Sequence, residues 1–473
     1  MQIQSMYFKQ RSSDAIANPE TQKRMASLGF AARRAERVAE FGPAEFEAQR
    51  DAAAAIRDRS IHDLASWIER FELEATGRGA TVLFANNARE VGERVVEICR
   101  RHQLTKAIKS KSMLSEEAEL NRVLAAAGVR PVETDLGEYI CQLADDPPSH
   151  IIAPAMHKSR DEIADLFVKH HGTPRLDEAA LLTREAREML RSHFLSADLG
   201  ISGGNFLIAE TGSVALVTNE GNGRMVTTLP RVHIAITGIE KIVPTLEDLA
   251  TLMRLLPRSA TGQNISNYFS LLTGARGQGD AEGPEHLYFI LVDNGRTHLV
   301  GDELQDMLRC IRCGACMNHC PVYKTVGGHS YGWVYPGPMG SVLTPAFMGL
   351  ANALDLPQAA TLCGACSVVC PVKIPLPELL RSLRERQVEA RLRPWQEMAG
   401  LRLWSFTAQR PWLYAWLSRW GARMLRILGG SSGMIASLPF AGGWTRGRHF
   451  PAPRAGGTFR DRYAAGRKED SRN

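Results

Sequence analysis

Hydrophobic positions in residues 44–75 recur at helical spacing: Ile56, Leu64, Trp67, Ile68 and Phe71 stand in an Ala-, Glu- and Arg-rich background. This pattern predicts one helix, which Gly77 and Gly79 stop. A regular alternation follows. The runs 80–85, 106–111 and 129–134 read as strands, and the amphipathic stretches 88–103 and 115–128 read as helices. Ser115 is the expected cap of the second helix, with two glutamates in its first turn and a glycine stop. Strand, helix, strand, helix, strand with short connections predicts a parallel sheet with right-handed crossovers. Residues 201–245 change style, to short β-branched runs broken by Thr-Gly, Asn-Glu-Gly-Asn and Leu-Pro, the pattern of consecutive strands and turns. A helix at 246–256 and a strand at 287–293 complete this part, with a Gly-rich loop at 273–285 between them.

The chain of 473 residues divides into four segments: a helical leader at 1–60, an α/β domain at 61–299, a cysteine domain at 300–388 and a basic, Trp-rich tail at 389–473. The formal net charge of +6 belongs to the tail, where residues 391–473 hold 15 lysines and arginines against 4 acids. The rest is mildly acidic, which argues against nucleic acid as a partner. No long uncharged window and no secretory leader are present, so the expected location is the cytoplasm. Trp412, Trp416 and Trp420 recur every four residues beside Arg419, Arg423 and Arg426. This stripe suits packing on the rest of the chain, a partner interface or a membrane surface. The last thirty residues, rich in Gly, Arg and Pro, are expected to be disordered.

Seven of the nine cysteines fall between Cys310 and Cys370. Cys99 and Cys141 stand alone in apolar surroundings and read as small buried hydrophobes. Cys310-x2-Cys313-x2-Cys316-x3-Cys320-Pro321 is the spacing of bacterial ferredoxins. Three cysteines wrap one cubane, and the fourth points to the other cluster. Zinc sites use separated Cys pairs or Cys/His sets instead. The second run, Cys363-x2-Cys366-x3-Cys370-Pro371, repeats the last three cysteines, with Ala360 where the first would stand. The repeated Cys-Gly-Ala-Cys and Cys-Pro-Val argue against a chance pair of structural cysteines.

Applied to both runs, the crossing rule gives one [4Fe-4S] cluster on Cys310, Cys313, Cys316 and Cys370. The other is held by Cys320, Cys363 and Cys366. The corner at Ala360 is left to water or hydroxide, to a side chain other than cysteine, or to a missing iron, as in [3Fe-4S]. His319 reads as a neighbouring surface histidine. Lys324, Lys373, Arg309 and Arg312 are expected to add positive charge near the clusters. The Gly/Pro-rich segment 335–345 is expected to pass close to them as a rigid linker.

The α/β part carries weaker signals. Lys109 and Lys111, with Ser110 and Ser112, follow a strand where an anion would bind. Asn205, Glu210, Asn219, Glu220, Asn222, Arg224 and His233 form a polar set in apolar strands, suited either to a ligand or to turns. There is no P-loop, no dinucleotide-type glycine motif and no Gly-x-Ser-x-Gly nucleophile, and no catalytic residue is assigned.

The segments 107–113, 133–158, 205–222, 232–245, 310–323, 335–345 and 362–380 together resemble the lactate-utilization iron–sulfur protein family (LutB/YkgF). The resemblance spans about residues 60–385, and the tail also resembles that family's C-terminal extension. It implies a LUD domain of NagB/RpiA/CoA-transferase-like α/β fold, followed by an alpha-helical ferredoxin-type domain with two [4Fe-4S] clusters. It also implies a Cys-rich LutA-type partner, a LutC-type LUD partner and a shared role in oxidising L-lactate to pyruvate. The second run commonly has three cysteines in that family, so Ala360 is no departure from it.

Overall fold

The computed structural model describes residues 3–26, 29–266, 268–438, 445, 448–455 and 457–470. The chain forms two compact units, Met1–Ala390 and Arg391–Asn473. The first unit opens with helices α1 (Phe8–Ala17), α2 (Pro19–Ala26), α3 (Phe30–Phe41), α4 (Pro43–His62) and α5 (Leu64–Gly77). The helix expected over 44–75 is thus two helices. Asp63, at φ −105° and ψ 31°, leaves helical geometry between them.

Six parallel strands make the central sheet, in the order β1 (Ala80–Ala85), β10 (His286–Val292), β7 (Val232–Gly238), β4 (Leu199–Gly203), β2 (Lys106–Lys109) and β3 (Arg130–Glu133). The sheet is parallel as the alternation predicts, but β1 lies at one edge, with three later strands between it and β2. Strand β10 shows why these strands read as continuous apolar runs. Tyr288, Ile290 and Val292 pack with Val91, Val95 and Ile98 of α6 (Ala88–Arg101) on one face. Leu287, Phe289 and Leu291 pack with Phe71 and Ala75 of α5 on the other. A parallel sheet covered on both faces has no polar side to present. Full burial of each such side chain contributes about 2 kcal/mol.

The helix expected over 115–128 is α7 (Met113–Glu117) and α8 (Leu120–Ala126), separated by Glu119 at φ 49°. Its cap is Ser112, whose side chain accepts the Ser115 amide at 3.3 Å, rather than Ser115. Helices α9 (Leu136–Leu143), α10 (Arg160–His171) and α11 (Ala179–Ser196) cover the β2/β3 end through Tyr139, Phe167 and Leu190.

A second sheet orders β8 (Ile242–Val243), β5 (Phe206–Ile208), β6 (Ser213–Val217) and β9 (Phe269–Leu272). Between β6 and β7 the chain forms α12 (Asn222–Thr228), where turns alone are expected. Gly200 makes room for it, since a Cβ there would come 2.0 Å from the Val226 carbonyl oxygen. Helix α13 (Leu246–Ala260) follows β8.

The cysteine region consists of α14 (Ala315–His319), α15 (Pro321–Val326), α16 (Gly337–Met348), α17 (Ala365–Val368) and α18 (Leu376–Glu389). The segment read as a linker is therefore mostly α16. One continuous core joins this region to the N-terminal helices, α13 and the second sheet, through Phe8, Phe46, Ile56, Phe206, Leu252, Leu308, Tyr323, Trp333 and Leu380.

In the second unit, α19 (Trp395–Ala408) and α20 (Pro411–Gly429) precede a short hairpin of β11 (Met434–Ile435) and β12 (Phe450–Pro451), then α21 (Phe459–Asp470). Within this unit Trp412, Trp416 and Trp420 lie exposed on α20. The end expected to be disordered is helical over α21. There Thr458 bonds Asp461, and Asp461 accepts Arg419 at 2.7 Å. No helix among the described residues is long and apolar enough to cross a membrane.

Candidate metal centre

The two cysteine runs have the same backbone where it matters. Arg312 (φ 58°) and Gly314 (φ 75°) flank Cys313, and Leu362 (φ 55°) and Gly364 (φ 81°) flank Cys363. Arginine and leucine rarely adopt that region, so it is kept where the loop must turn back on a ligand. Both glycines cap short helices, α14 and α17, which carry Cys316 and Cys366. By this register Ala360 occupies the place of Cys310. Arg384 donates to the Ala360 carbonyl at 2.9 Å and to that of Pro357 at 2.9 Å, fixing the segment in which the cysteine is missing.

The sulfurs fall into two neighbourhoods. Cys310, Cys313, Cys316 and Cys370 act on one another electrostatically, and Cys320, Cys363 and Cys366 do the same. Cys316 also feels Cys366, so the two groups adjoin. All seven are free thiols. Backbone amides point at the sulfurs: Arg312 N–H at Cys310 Sγ (3.5 Å), Tyr323 N–H at Cys320 Sγ (3.4 Å) and Ile374 N–H at Cys370 Sγ (3.4 Å). Cys320 is at the same time the N-cap of α15, with Pro321 at its first position.

Burial raises the thiols of Cys313 and Cys316, and pushes Cys366 up to about 12 and Cys370 up to about 11. The exposed Cys363 goes the other way, because the Thr361 side chain and the Ala365 amide donate to it. Thiols held protonated in an apolar pocket become ligands when a metal displaces their protons. Two buried donor atoms beside the first group, Arg312 Nη1 and Arg34 Nε, lack a protein partner. Convergent free thiols, aimed amides and orphaned cationic donors fit an anionic iron–sulfur group.

The cations expected from the sequence are largely neutralised. Lys373 pairs with Glu47 (2.7 Å) and with Asp51, and Arg309 pairs with Asp58 and with Asp306 (3.0 Å). Arg312 stacks over Tyr335 (4.5 Å) and faces Glu240 at 3.6 Å. His319 Nδ1 donates locally, to the Ala315 carbonyl at 2.9 Å.

The N-terminal helices supply what sequence reasoning missed. Arg50 of α4 donates to the Cys370 carbonyl at 2.9 Å, and Arg34 of α3 to that of Val369 at 3.2 Å. Arg57, fully buried, donates to the carbonyls of Ile242 (2.6 Å), Leu308 (3.0 Å) and Glu240. Lys241 reaches the Cys310 carbonyl at 2.5 Å. Burial pushes Glu240 up, but Arg296, Lys241 and Arg312 outweigh it and hold the carboxyl at about 2. The available signal was that Arg50 and Arg57 are two turns apart on the apolar stripe that also carries Ala53, where a solvent-facing arginine has no place.

The α/β part does not hold the expected anion site. Lys109 is buried and bonds Glu133 at 2.5 Å and Asn121 at 2.6 Å, and Lys111 reaches Asp135 at 3.4 Å. The polar set is dispersed into structural bonds: Asn205 to the Val217 amide (2.8 Å), Glu210 to that of Leu246 (3.0 Å), and Glu220 to that of Leu136 (3.1 Å). Asn219 bonds the Ile152 carbonyl (3.0 Å), Asn222 the Thr134 hydroxyl (3.2 Å) and His233 the Ser202 hydroxyl (2.9 Å). Cys99 and Cys141 are buried, with their thiols raised to about 11 and about 12 by burial.

Residues 68–292 match the family model for the LUD domain, and residues 306–374 match that for the 4Fe-4S dicluster domain. The chain is 43% identical to lactate utilization protein B of Bacillus licheniformis, over 99% of this chain and 98% of that protein. It is 41% identical to the protein of the same name from Bacillus subtilis, over 98% and 97% of the two chains. The Shouchella clausii protein of that name is 44% identical over 90% and 89%. With a LUD domain leading into a cysteine-lined iron–sulfur domain, and identity above 40% along nearly its whole length, the chain belongs to the lactate utilization protein B family.

Proposed function

We propose that the chain is the electron-transfer subunit of a cytoplasmic system that oxidises L-lactate to pyruvate, working with LutA-type and LutC-type partners. The observation that carries this reading is the paired left-handed geometry of the two cysteine loops, with Cys370 among the sulfurs of the first loop. In this reading Cys310, Cys313, Cys316 and Cys370 hold one cluster, and Cys320, Cys363 and Cys366 hold the other. When bound, such groups supply one-electron chemistry at potentials tuned by charge, hydrogen bonds to sulfur and exposure.

The chain's own residues do three things. The amides of Arg312, Tyr323 and Ile374 support sulfur charge. The core around Tyr323, Trp333 and Leu380 buries Cys313 and Cys370 of the first group and Cys320 and Cys366 of the second. Cys363, exposed, gives the second group an edge open to solvent. Lactate oxidation releases two electrons and two protons, so a carrier with two adjoining one-electron sites matches its stoichiometry. The test is anaerobic purification with iron and sulfide analysis. Seven or eight irons per chain with matching sulfide are expected; two zincs without labile sulfide would overturn the reading.

A second reading makes the LUD domain itself the carboxylate-binding catalytic part. It is favoured by a cavity of about 640 Å³ at the carboxyl end of β3, where Arg11 is a cation for a carboxylate to pair with among Glu116, Glu133 and Glu138. Burial, reinforced by Glu133, raises the Glu138 carboxyl well above the ordinary range. Glu133 Oε2 is buried without a partner. Ligands of open α/β sheets bind outside the carboxyl ends of the strands. Lactate-dependent bleaching of the visible spectrum by this chain alone would select this reading. Bleaching that requires an added partner would select the first.

A further inference from the structure

The two sulfur groups are set in different electrostatic surroundings, with more cations gathered at the first. Around Cys310, Cys313, Cys316 and Cys370 lie Arg312 of the loop itself and Arg34, Arg50, Arg57 and Lys241, these four tied to the ligand loops by hydrogen bonds to the carbonyls of Leu308, Cys310, Ser367, Val369 and Cys370. The acids available to them are few. Glu240 is shared by Arg296, Lys241 and Arg312, and Glu47 by Arg50 and Lys373. Arg57 spends its hydrogen bonds on backbone carbonyls. Arg34 has no carboxylate partner among the described residues, and its Nε is buried without an acceptor. The second group has Lys324 acting on Cys320, Arg384 on the Ala360 and Pro357 carbonyls, and solvent at Cys363.

Two effects compete at the first group. Burial by itself disfavours added negative charge and would lower its potential. Fixed positive charge in the same low-dielectric surroundings favours added negative charge and raises it. Arg34, with no carboxylate partner among the described residues, tips the balance, because water screens a partly buried charge poorly.

We propose that the N-terminal helices tune the redox centre: Arg34, with Arg50 and Arg57, makes the cluster on Cys310, Cys313, Cys316 and Cys370 the higher-potential one of the pair. A single electron entering the chain from an external donor then resides on this cluster, and the cluster with the exposed Cys363 edge is reduced second. Arg34 is a positioning and tuning residue, since its bonds reach the ligand loop through Val369. The inference rests on the two-cluster reading above.

The experiment is an EPR-monitored titration of the anaerobically purified full chain with dithionite, comparing wild type with Arg34→Gln and Arg34→Lys. Ala360→Cys identifies the three-cysteine cluster by the change in its signal. Wild type is expected to reduce in two steps, the higher belonging to the four-cysteine cluster. Arg34→Gln is expected to shift that step downward and leave the other in place, and Arg34→Lys to restore it. An unchanged higher step in Arg34→Gln at full iron content, or a higher step that belongs to the three-cysteine cluster, would overturn the inference. Iron and sulfide too low for two clusters in wild type would overturn the two-cluster reading instead. If Arg34→Gln loses iron, the wild-type order of reduction alone decides.

Discussion

His150 provides a pH-dependent lock between the α/β part and the cysteine part. Its Nδ1 accepts the amides of Ile152 (3.0 Å) and Ala153 (3.2 Å), and its Nε2 lies 3.2 Å from Asn318 Oδ1 on α14. This pattern requires the neutral ring with the proton on Nε2, because a proton on Nδ1 would face two donors. Burial lowers its pKa from 6.5 to about 4, with Lys111 adding to the effect. The open segment binds the proton at the ordinary value and the closed segment does not. The contribution is therefore intact above pH 6.5 and is lost as the pH falls from 6.5 toward 4. At pH 5 the loss is about 2 kcal/mol, roughly a 30-fold increase in local opening. The assay is hydrogen exchange of the peptide covering 149–157, corrected for intrinsic rates, at pH 7 and pH 5, in wild type and His150→Gln. Wild type should lose about 30-fold in protection and the variant, already less protected at pH 7, should lose little. The nearby His157 and His329 are present in both proteins and cancel. Equal pH dependence in both would refute the assignment.

Two substitutions probe the packing independently of any cofactor. A Cβ on Gly340 would fall 1.6 Å from the Tyr335 carbonyl oxygen at the start of α16, and backbone cannot yield cheaply. Gly340→Ala should cost about 3 kcal/mol, read as a lower thermal midpoint, with Gly349→Ala, where no atom lies within 4 Å but φ is 87°, costing less. Lys109→Met removes the partner of the buried Glu133 carboxylate and should cost roughly 3–5 kcal/mol. The double variant with Glu133→Leu should recover most of that loss. Equal midpoints for the single and double variants would show that the pair is not coupled.

Local signals in the sequence carried the parallel sheet, because alternating strands and amphipathic helices declare themselves within a few residues. They also carried the cysteine loops, because the spacing of ligands around a cubane is set within a dozen residues. The misses have a common cause in longer-range contacts. Helix α12 begins at Asn222-Gly223, a dipeptide that signals a turn. It is helical because Val226 is buried and Gly200, 26 residues earlier in the chain, leaves space for its backbone. Ser115 looked like a helix cap, but Ser112 is the residue in extended geometry before the turn. Lys109 and Lys111 read as an anion site because lysines after a strand usually face solvent. Here Glu133 and Asp135, about one crossover away, take their charge.

The same cause applies to residues 1–60, which are helical as expected of a leader but pack into the core of the first unit. Their composition is polar and basic, but Phe8, Phe46, Ala53 and Ile56 belong to the core that contains Tyr323, Trp333 and the buried cysteines. The arginines among them end on carbonyls of the cysteine loops, 251 to 335 residues away in sequence. A loop that must turn through left-handed geometry at Arg312 and Leu362 has few backbone partners of its own. Guanidinium donors, with five N–H groups in a fixed fork, can satisfy several such carbonyls at once. The arrangement therefore uses one residue type for two purposes: holding the loops in the conformation that presents the sulfurs, and placing positive charge where an anionic group would bind. Structural support and redox tuning are separable only by a change that keeps the hydrogen bonds and removes the charge, or the reverse. This is why Arg34, with its unneutralised charge and single loop contact, is the most informative position in the chain.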